Sequence, residues 1–375
     1  MIKFNKCKLN SNLLDQWVNT NVNVLLIGEK GVGKCLTKGT KILMYDGTFK
    51  NVEDIIPEDI VMGPDSSPRI VQGITRGKDE MFRVKQTKGK DYVVNSEHIL
   101  SLVMSAPHSG YKKNEYVNIK IKDFLQKSKR FKQCALGWKT SIDFKQNNVD
   151  LFDPYFIGLW LGDGDSLRPS ITTKDKEIVD YLYKLAKQYD LDINLQNKKN
   201  NKAASYNLTS GDGTGIPKIG RNKILSILQS LSLIKNNYLP YSGYKHIPYV
   251  YKVSSKENRL QILAGLLDSD GHLIHNCFEF ISKNEILAYD VAFVARSLGF
   301  NVTERKCQKS CLYKGKKISG DYYRLFISGN VDIIPTKIKR KQAEKRKQIK
   351  NVLRTHIEII PEGVGEYYGF EDRKS

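Results

Sequence analysis

The chain has 375 residues, 40% of them hydrophobic, which is material for two or three cores. Lys and Arg outnumber Asp and Glu by 61 to 40, a formal net charge of +21 and a pI near 9.5, which implies a polyanionic partner because basic side chains gain affinity by displacing counterions from phosphates. No apolar run reaches the roughly 18 residues of a membrane span, the N-terminus has no signal-peptide core, and the six cysteines are scattered rather than spaced as a disulfide framework; the expectation is an intracellular, soluble, monomeric protein, neither secreted nor membrane-bound.

Residues 1–34 read as the start of a different protein. In NVNVLLIGEKGVGK a short apolar strand at 22–27 leads into Gly28, Gly33 and Lys34, the phosphate-cradling GxxxxGK of a P-loop. The next position should be Ser or Thr, to ligate magnesium, and it is Cys35. A P-loop with only 34 residues of its own cannot build the sheet that supports such a loop, so nucleotide binding at Gly28, Gly33 and Lys34 is not expected here.

From Cys35 the chain runs CLTKGTKILMYDGTFKNVEDI, a strand, a DG turn and a second strand; DYVVNSEHILSL is a further alternating strand ending in a polar cluster. These two stretches resemble the first two blocks of an intein, the N-terminal part of the Hint fold, and the likeness is to endonuclease-bearing inteins inserted in the P-loops of ATPases. The resemblance implies that Cys35 attacks the Lys34 carbonyl to form a thioester, that His98 protonates the leaving amine, and that Asn95 polarises the carbonyl. The basic, aromatic-rich stretch at 105–148 is read equally well as a DNA contact or as solvated strands and a short helix.

An internal repeat fills the middle of the chain. DPYFIGLWLGD at 153–163 opens with an Asp-Pro helix start and runs apolar into an acidic turn; LAGLLDSDG at 263–271 likewise runs apolar into an acidic turn, and Gly158 aligns with Gly265 and Asp163 with Asp270, 107 residues apart. TTKDKEIVDYLYKLAKQYDLDI at 172–193 parallels ISKNEILAYDVAFVARSLGFNV at 281–302, and SYNLTSG at 205–211 matches YRLFISG at 323–329. Carboxylates at a helix C-terminus meet partial negative charge, which suggests a bound cation.

LAGLLDSDG resembles the signature of the LAGLIDADG homing endonucleases. The resemblance implies that two such helices pack side by side through Gly158 and Gly265 (with Ala264), and that Asp163 and Asp270 hold Mg2+ over the scissile phosphates of double-stranded DNA. Lys245, in YKHIP, matches that family's active-site lysine; its counterpart in IIPTKIKRKQAEKRKQIK is assigned to Lys339, with Lys337 and Lys341 as rivals. Leu161 stands where the second copy has Asp268, and in that family the catalytic acid is the one just before the glycine.

The expected fold is therefore α+β: a mostly-β Hint-type splicing domain with an inserted two-copy αββαββ endonuclease domain of pseudo-twofold symmetry. The domains are placed at 1–34 (host remnant with P-loop), 35–148 (N-terminal Hint), 149–336 (endonuclease, copies about 153–248 and 259–336) and 337–375. The segment 337–350 holds eight Lys or Arg against one Glu, a solvated helix or a DNA contact. HLIHNCFEF at 272–280 is read as a single alternating strand that sends its side chains to both faces, which argues against His272, His275 and Cys277 joining Cys307 and Cys311 as zinc ligands. THIEIIPEGVGEYYGF at 355–370 looks like the strand and turn that begin an intein's C-terminal half. The terminal Asn and second nucleophile of that family do not follow, so splicing as a single chain is not expected; either the sequence is truncated or frameshifted, or the missing strand comes from a second polypeptide.

Overall fold

The computed structural model describes residues 34–144, 151–197, 203–211, 222–234, 243–313 and 316–374. Gly28, Gly33 and the strand expected at 22–27 lie outside them, and of Lys34 only the backbone is described. Within them the fold is mixed α and β and rich in strands.

The first body begins with β1 (Lys34–Thr37) and the hairpin of β2 (Lys41–Leu43) and β3 (Phe49–Asn51), turned by the expected Asp-Gly pair: Gly47 has φ +90°, and Asp46 Oδ1 accepts from Thr48 N at 2.8 Å. There follow β4 (Ile60–Met62), β5 (Pro68–Gln86), β6 (Tyr92–Asn95), β7 (Ile99–Met104) and β8 (Tyr116–Lys120), the short helices α1 (Ile121–Leu125) and α2 (Lys129–Cys134), and β9 (Ala135–Trp138). The chain returns to this body at its end, through β17 (Arg354–Thr355) and β18 (Ile357–Lys374). β18 pairs with β5 along nearly its whole length and with β1, giving the order β18-β1-β6-β5-β4, while β17-β9-β7-β8 forms a second sheet. The strand and turn expected at 355–370 are thus one continuous strand. The Pro-Glu-Gly that reads as a turn is absorbed as a register shift between Pro361 and Gly363, with Gly363 at φ +83°.

The second body carries the repeat. Its first copy is α3 (Pro154–Asp163), β10 (Ser170–Thr173), α4 (Lys176–Gln188), β11 (Asp192–Asn197), β12 (Ala204–Thr209) and α5 (Lys223–Ser230). After α6 (Tyr249–Lys252), the second copy is α7 (Lys256–Asp270), β13 (Gly271–Ile274), β14 (Cys277–Ser282), α8 (Glu285–Ser297), β15 (Asn301–Tyr313) and β16 (Lys316–Ser328). The sheets run β10-β12-β11 and β13-β14-β16-β15, so they correspond except at one edge. In the first copy the expected leading strand is reduced to a single bridge, Gly164 to Ile171. The five residues between Gly164 and Ser170 include Pro169 and an Asp165 that captures Leu167 N at 2.8 Å, which leaves no room for a ladder. In the second copy HLIHNCFEF is a hairpin, not one strand. Its turn residues His275 and Asn276 lie at φ +48° and +55° without a glycine to announce them.

Two hydrophobic cores follow the two bodies, and the second reaches into the first. It includes Leu43 and Met62 as well as Ile142 and Phe144. Buried Arg259 fastens this junction: Nη2 donates to Ile142 O at 2.7 Å, Nη1 to Ser297 Oγ at 2.5 Å and Nε to Ser254 O at 3.0 Å, with the guanidinium 5.0 Å from the Phe144 ring.

Candidate active sites

The centre of the second body is the pair α3 and α7. Asp153 caps α3, accepting from Tyr155 N at 2.9 Å and Phe156 N at 3.2 Å, and Pro154 fits the first turn, where its missing N–H costs nothing. Ser255 caps α7 through Asn258 N at 3.3 Å. Every residue from Tyr155 to Leu161 and from Ile262 to Asp268 is buried, so these helices have no solvent face along their contact.

Glycine sets their separation. A Cβ on Gly265 would stand 2.6 Å from Leu159 N and 3.0 Å from Gly158 C, and one on Gly158 2.9 Å from Ile262 C. The two backbones touch directly. At the next turn a Cβ on Gly162 would overlap Ser269 and lie 3.3 Å from Asp270 Oδ2, so the helix ends, and Asp163 with Asp270, come side by side. Both acidic residues are exposed at the end of this seam. The surrounding protein, and then the nearby Asp270, push Asp163 up to about 6, and desolvation also raises Asp270.

A lysine closes each helix end. Lys245 Nζ donates to Gly162 O at 2.7 Å and lies 5.5 Å from the Trp160 ring. Lys341 Nζ donates to Leu267 O at 2.9 Å, Asp268 O at 2.7 Å and Ser269 O at 3.2 Å. These are the carbonyls that carry the negative end of each helix dipole. Burial lowers both lysines, while Asp268 and Asp163 beside Lys341, and Asp270 and Asp163 beside Lys245, work against that. Lys339, the expected counterpart of Lys245, is exposed, and its backbone N–H bonds Glu177 at 3.2 Å. The reason is a 3-10 turn over Lys339–Lys341, which turns the third residue inward and the first out. Lys337 lies 4.4 Å from the Tyr155 ring and 5.0 Å from that of Tyr181.

Asp268, which has no counterpart in the first copy, holds this segment in place. Its carboxylate accepts from Tyr155 Oη at 2.6 Å, Lys337 N at 2.6 Å and Ile338 N at 3.4 Å. Arg340 adds a two-pronged pair with Asp175, at 2.9 and 3.0 Å. The loop carrying Lys245 is pinned similarly. Buried Asp290 accepts from Ile247 N at 2.8 Å and Lys252 Nζ at 2.7 Å, and Asn284 Nδ2 donates to Lys245 O at 2.6 Å. None of Tyr155, Asp290 or Lys252 stood out in the sequence, because each is a polar residue inside an otherwise apolar or unremarkable stretch; Asp268 was visible as an acid without a partner in the first copy, but its role in holding this segment was not.

A second candidate site lies in the first body. Cys35 is buried on β1, between β18 and β6, where it pairs with Gly369. Asn95 ends β6 and His98 follows in the link to β7; both are buried. Asn95 Nδ2 donates to Asp79 Oδ2 at 3.1 Å, Ser96 Oγ donates to the same oxygen at 3.0 Å, and Asn95 Oδ1 has no hydrogen-bond partner among the described residues. Burial, then Asp79 and Glu97, push the Cys35 thiol up to about 11, so the resting group is the thiol rather than the thiolate. Asp79 is the member of this site that sequence reasoning missed; it sits in the middle of a long charged strand.

Comparisons with known proteins give partial matches. Residues 35–147 match the family model Hom_end-associated Hint. The chain is 37% identical over 98 residues to the catalytic chain of the V-type proton ATPase of Candida tropicalis, covering 26% of this chain and 8% of that protein. It is 30% identical over 161 residues to the replicative DNA helicase DnaB of Mycobacterium intracellulare, covering 43% of this chain and 20% of that one. The chain thus spans a small part of either relative. Among solved structures, a mesophilic variant of the homing endonuclease I-DmoI covers 47% of this chain and 82% of its own at 17% identity and a TM-score of 0.30. The gp41-1 intein covers 24% and 80% at 14% identity and a TM-score of 0.17. With Cys35 at the head of β1 and Asn95 and His98 around the end of β6, the matched residues 35–147 are a Hom_end-associated Hint domain.

Proposed function

We propose that the chain is an intein-borne homing endonuclease, making double-strand breaks in DNA by magnesium-dependent phosphodiester hydrolysis, with autoprocessing chemistry at Cys35. The observation that carries this reading is the seam of α3 and α7, where backbone contact at Gly158 and Gly265 delivers Asp163 and Asp270 to one exposed spot, each helix end closed by a lysine. Two neighbouring carboxylates with raised proton affinity, open to solvent and offering only oxygen, suit a hard divalent cation that takes its other ligands from water and phosphate. Bound there, magnesium would activate water and neutralise charge on the leaving oxygen. Lys245 and Lys341, held by carbonyls at fixed positions, would offer positive charge to the anionic phosphoryl group. We assign the second lysine to Lys341, not Lys339, because only Lys341 repeats the contact that Lys245 makes. Two related sheets suit a duplex, whose own strands are related by approximate twofold symmetry.

The P-loop fragment before Cys35, together with a relative that is an ATPase by name, supports a nucleotide-binding host gene whose uninterrupted sequence is the DNA target. Incubating the purified chain with a plasmid carrying that uninterrupted gene and magnesium gives a double-strand break on this reading. Retention of the plasmid without any break supports instead a DNA-binding module that has lost cleavage. The autoprocessing part has its own observation, the burial of Cys35 on the strand that pairs with the one Asn95 ends. Added thiol should release residues 1–34 as a fragment visible by intact mass, and Cys35→Ala should abolish it; no fragment from the unaltered chain would defeat this part alone.

A further inference from the structure

Where the two bodies meet, positive charge collects without a matching set of acids. Lys88 and Lys90 flank Gly89 in the turn between β5 and β6, Lys139 follows β9, and Arg296 lies near the end of α8. A Cβ on Gly89 would stand 2.9 Å from Lys139 Nζ and 3.3 Å from Gln86 Oε1, so the ammonium is pressed against that turn. Two carboxylates stand against these four cations, and both are engaged: Glu304 on β15 by Arg296 at 2.6 Å and Lys90 at 3.6 Å, and Asp91, in the same turn, by Gln86 N at 3.0 Å. Arg296 also donates to Val302 O at 3.1 Å, and Lys90 lies 5.3 Å from the Tyr289 ring. Lys139 Nζ has neither a hydrogen-bond nor an ion-pair partner among the described residues. Its backbone is nonetheless fixed, its N–H bonding Leu353 O at 2.9 Å, and Lys88 N is held by Thr355 Oγ1 at 2.9 Å.

An ammonium with three donors, half-buried beside like charges, is unfavourable as it stands. Burial, then Arg296 and Lys88, lower Lys139 to about 8. A bound anion would remove each of these costs together, because it brings acceptors and negative charge to the same point.

We propose that this seam is a binding site for a phosphoryl oxyanion, with Lys139 as its central donor and Lys88 and Arg296 at its flanks. The group can come from a free inorganic polyphosphate or from the backbone of a DNA duplex lying across both bodies. The site is separate from Asp163 and Asp270, so it stands or falls independently of cleavage.

The test uses the full chain without magnesium, as wild type, Lys139→Gln, Lys88→Gln and the exposed-surface control Lys38→Gln. Pyrophosphate binding is measured by calorimetry at fixed ionic strength, and binding of a random-sequence duplex is measured across a salt series. If the anion is free, pyrophosphate binds the wild type and Lys38→Gln equally and at least about tenfold more weakly to Lys139→Gln. If it is DNA backbone, the slope of log K against log salt falls by about 0.9 in Lys139→Gln, and in Lys88→Gln likewise, but not in the control. Either result supports the site and names its source. Equal binding of both probes by all four proteins overturns it, as does a loss in Lys38→Gln matching that in Lys139→Gln. Folding does not confuse the outcome, since removing an unpaired half-buried charge leaves the urea midpoint unchanged or higher, and Lys88→Gln, in a turn, gives an independent reading.

Discussion

Adding one methyl group at Gly265 probes the contact on which the nuclease reading depends. The new Cβ would stand 2.6 Å from Leu159 N and 3.0 Å from Gly158 C and would overlap Tyr155 O, all backbone atoms of α3 that no rotamer change can move. Relief to an ordinary contact of about 3.5 Å requires the helices to part by on the order of 1 Å. Overpacking of this kind costs about 1–3 kcal/mol, and the upper end applies where the obstructing atoms are main chain. The same displacement pulls Asp163 from Asp270, and a misplacement of about 1 Å at a reacting centre costs roughly 100-fold in rate. Gly265→Ala is therefore expected to lower urea stability by about 2–3 kcal/mol and plasmid cleavage by about 100-fold. Gly73→Ala is the control, because a Cβ there meets nothing within 4 Å; it should stay within about 0.5 kcal/mol of wild type. Wild-type stability and cleavage in Gly265→Ala would refute the reasoning.

Four further outcomes are expected. Lys341→Met should cut cleavage at least tenfold while Lys339→Met leaves it within twofold, measured as single-turnover rates; the reverse order would restore Lys339. Lys252→Met strands the buried Asp290 carboxylate and should cost about 3–5 kcal/mol in urea unfolding, against about 0–1 kcal/mol for breaking the exposed Lys85–Glu358 pair with Lys85→Met. Asp163 keeps its proton up to about pH 6 when folded, against about 3.9 in an unfolded chain. Its contribution to stability without metal therefore falls as pH rises from about 4 to about 6, and magnesium, which binds the deprotonated pair, should raise Tm more at pH 7 than at pH 5; equal shifts at both values would contradict this. Because burial holds Cys35 as a thiol up to about pH 11, thiol-induced release of residues 1–34 should accelerate with pH across 7 to 9, and a flat profile by intact mass would show another step to be limiting.

The repeat, the Gly-Gly contact and the positions of the acids were legible because each rests on a local pattern: an Asp-Pro start, a run of small and apolar residues, an acid before glycine; Lys245 was singled out through the family resemblance of YKHIP. Lys341 was not, since choosing among three lysines two residues apart depends on a 3-10 turn that places only one of them under the helix end. The first copy's missing strand escaped notice because the duplication at the level of helices suggested equal sheets, whereas Pro169 and the Asp165 turn take up the residues a strand would need. The hairpin at His275 and Asn276 lacked a glycine to mark it. The supporting polar groups, Asp268 under Tyr155 and Asp79 under Asn95, depend on contacts 113 and 16 positions apart, which no local pattern encodes.

The central claim is that Asp163 and Asp270 together cut both strands of a duplex. Its most direct measurement is strand-resolved cleavage of an end-labelled fragment of the uninterrupted host gene by the full chain with magnesium, alongside Asp163→Asn and Asp270→Asn, with binding followed on the same fragment. Scission of both strands by the wild type, lost in each variant while binding persists, is the predicted result. Binding without scission by the wild type, or scission that survives in both variants, would contradict it.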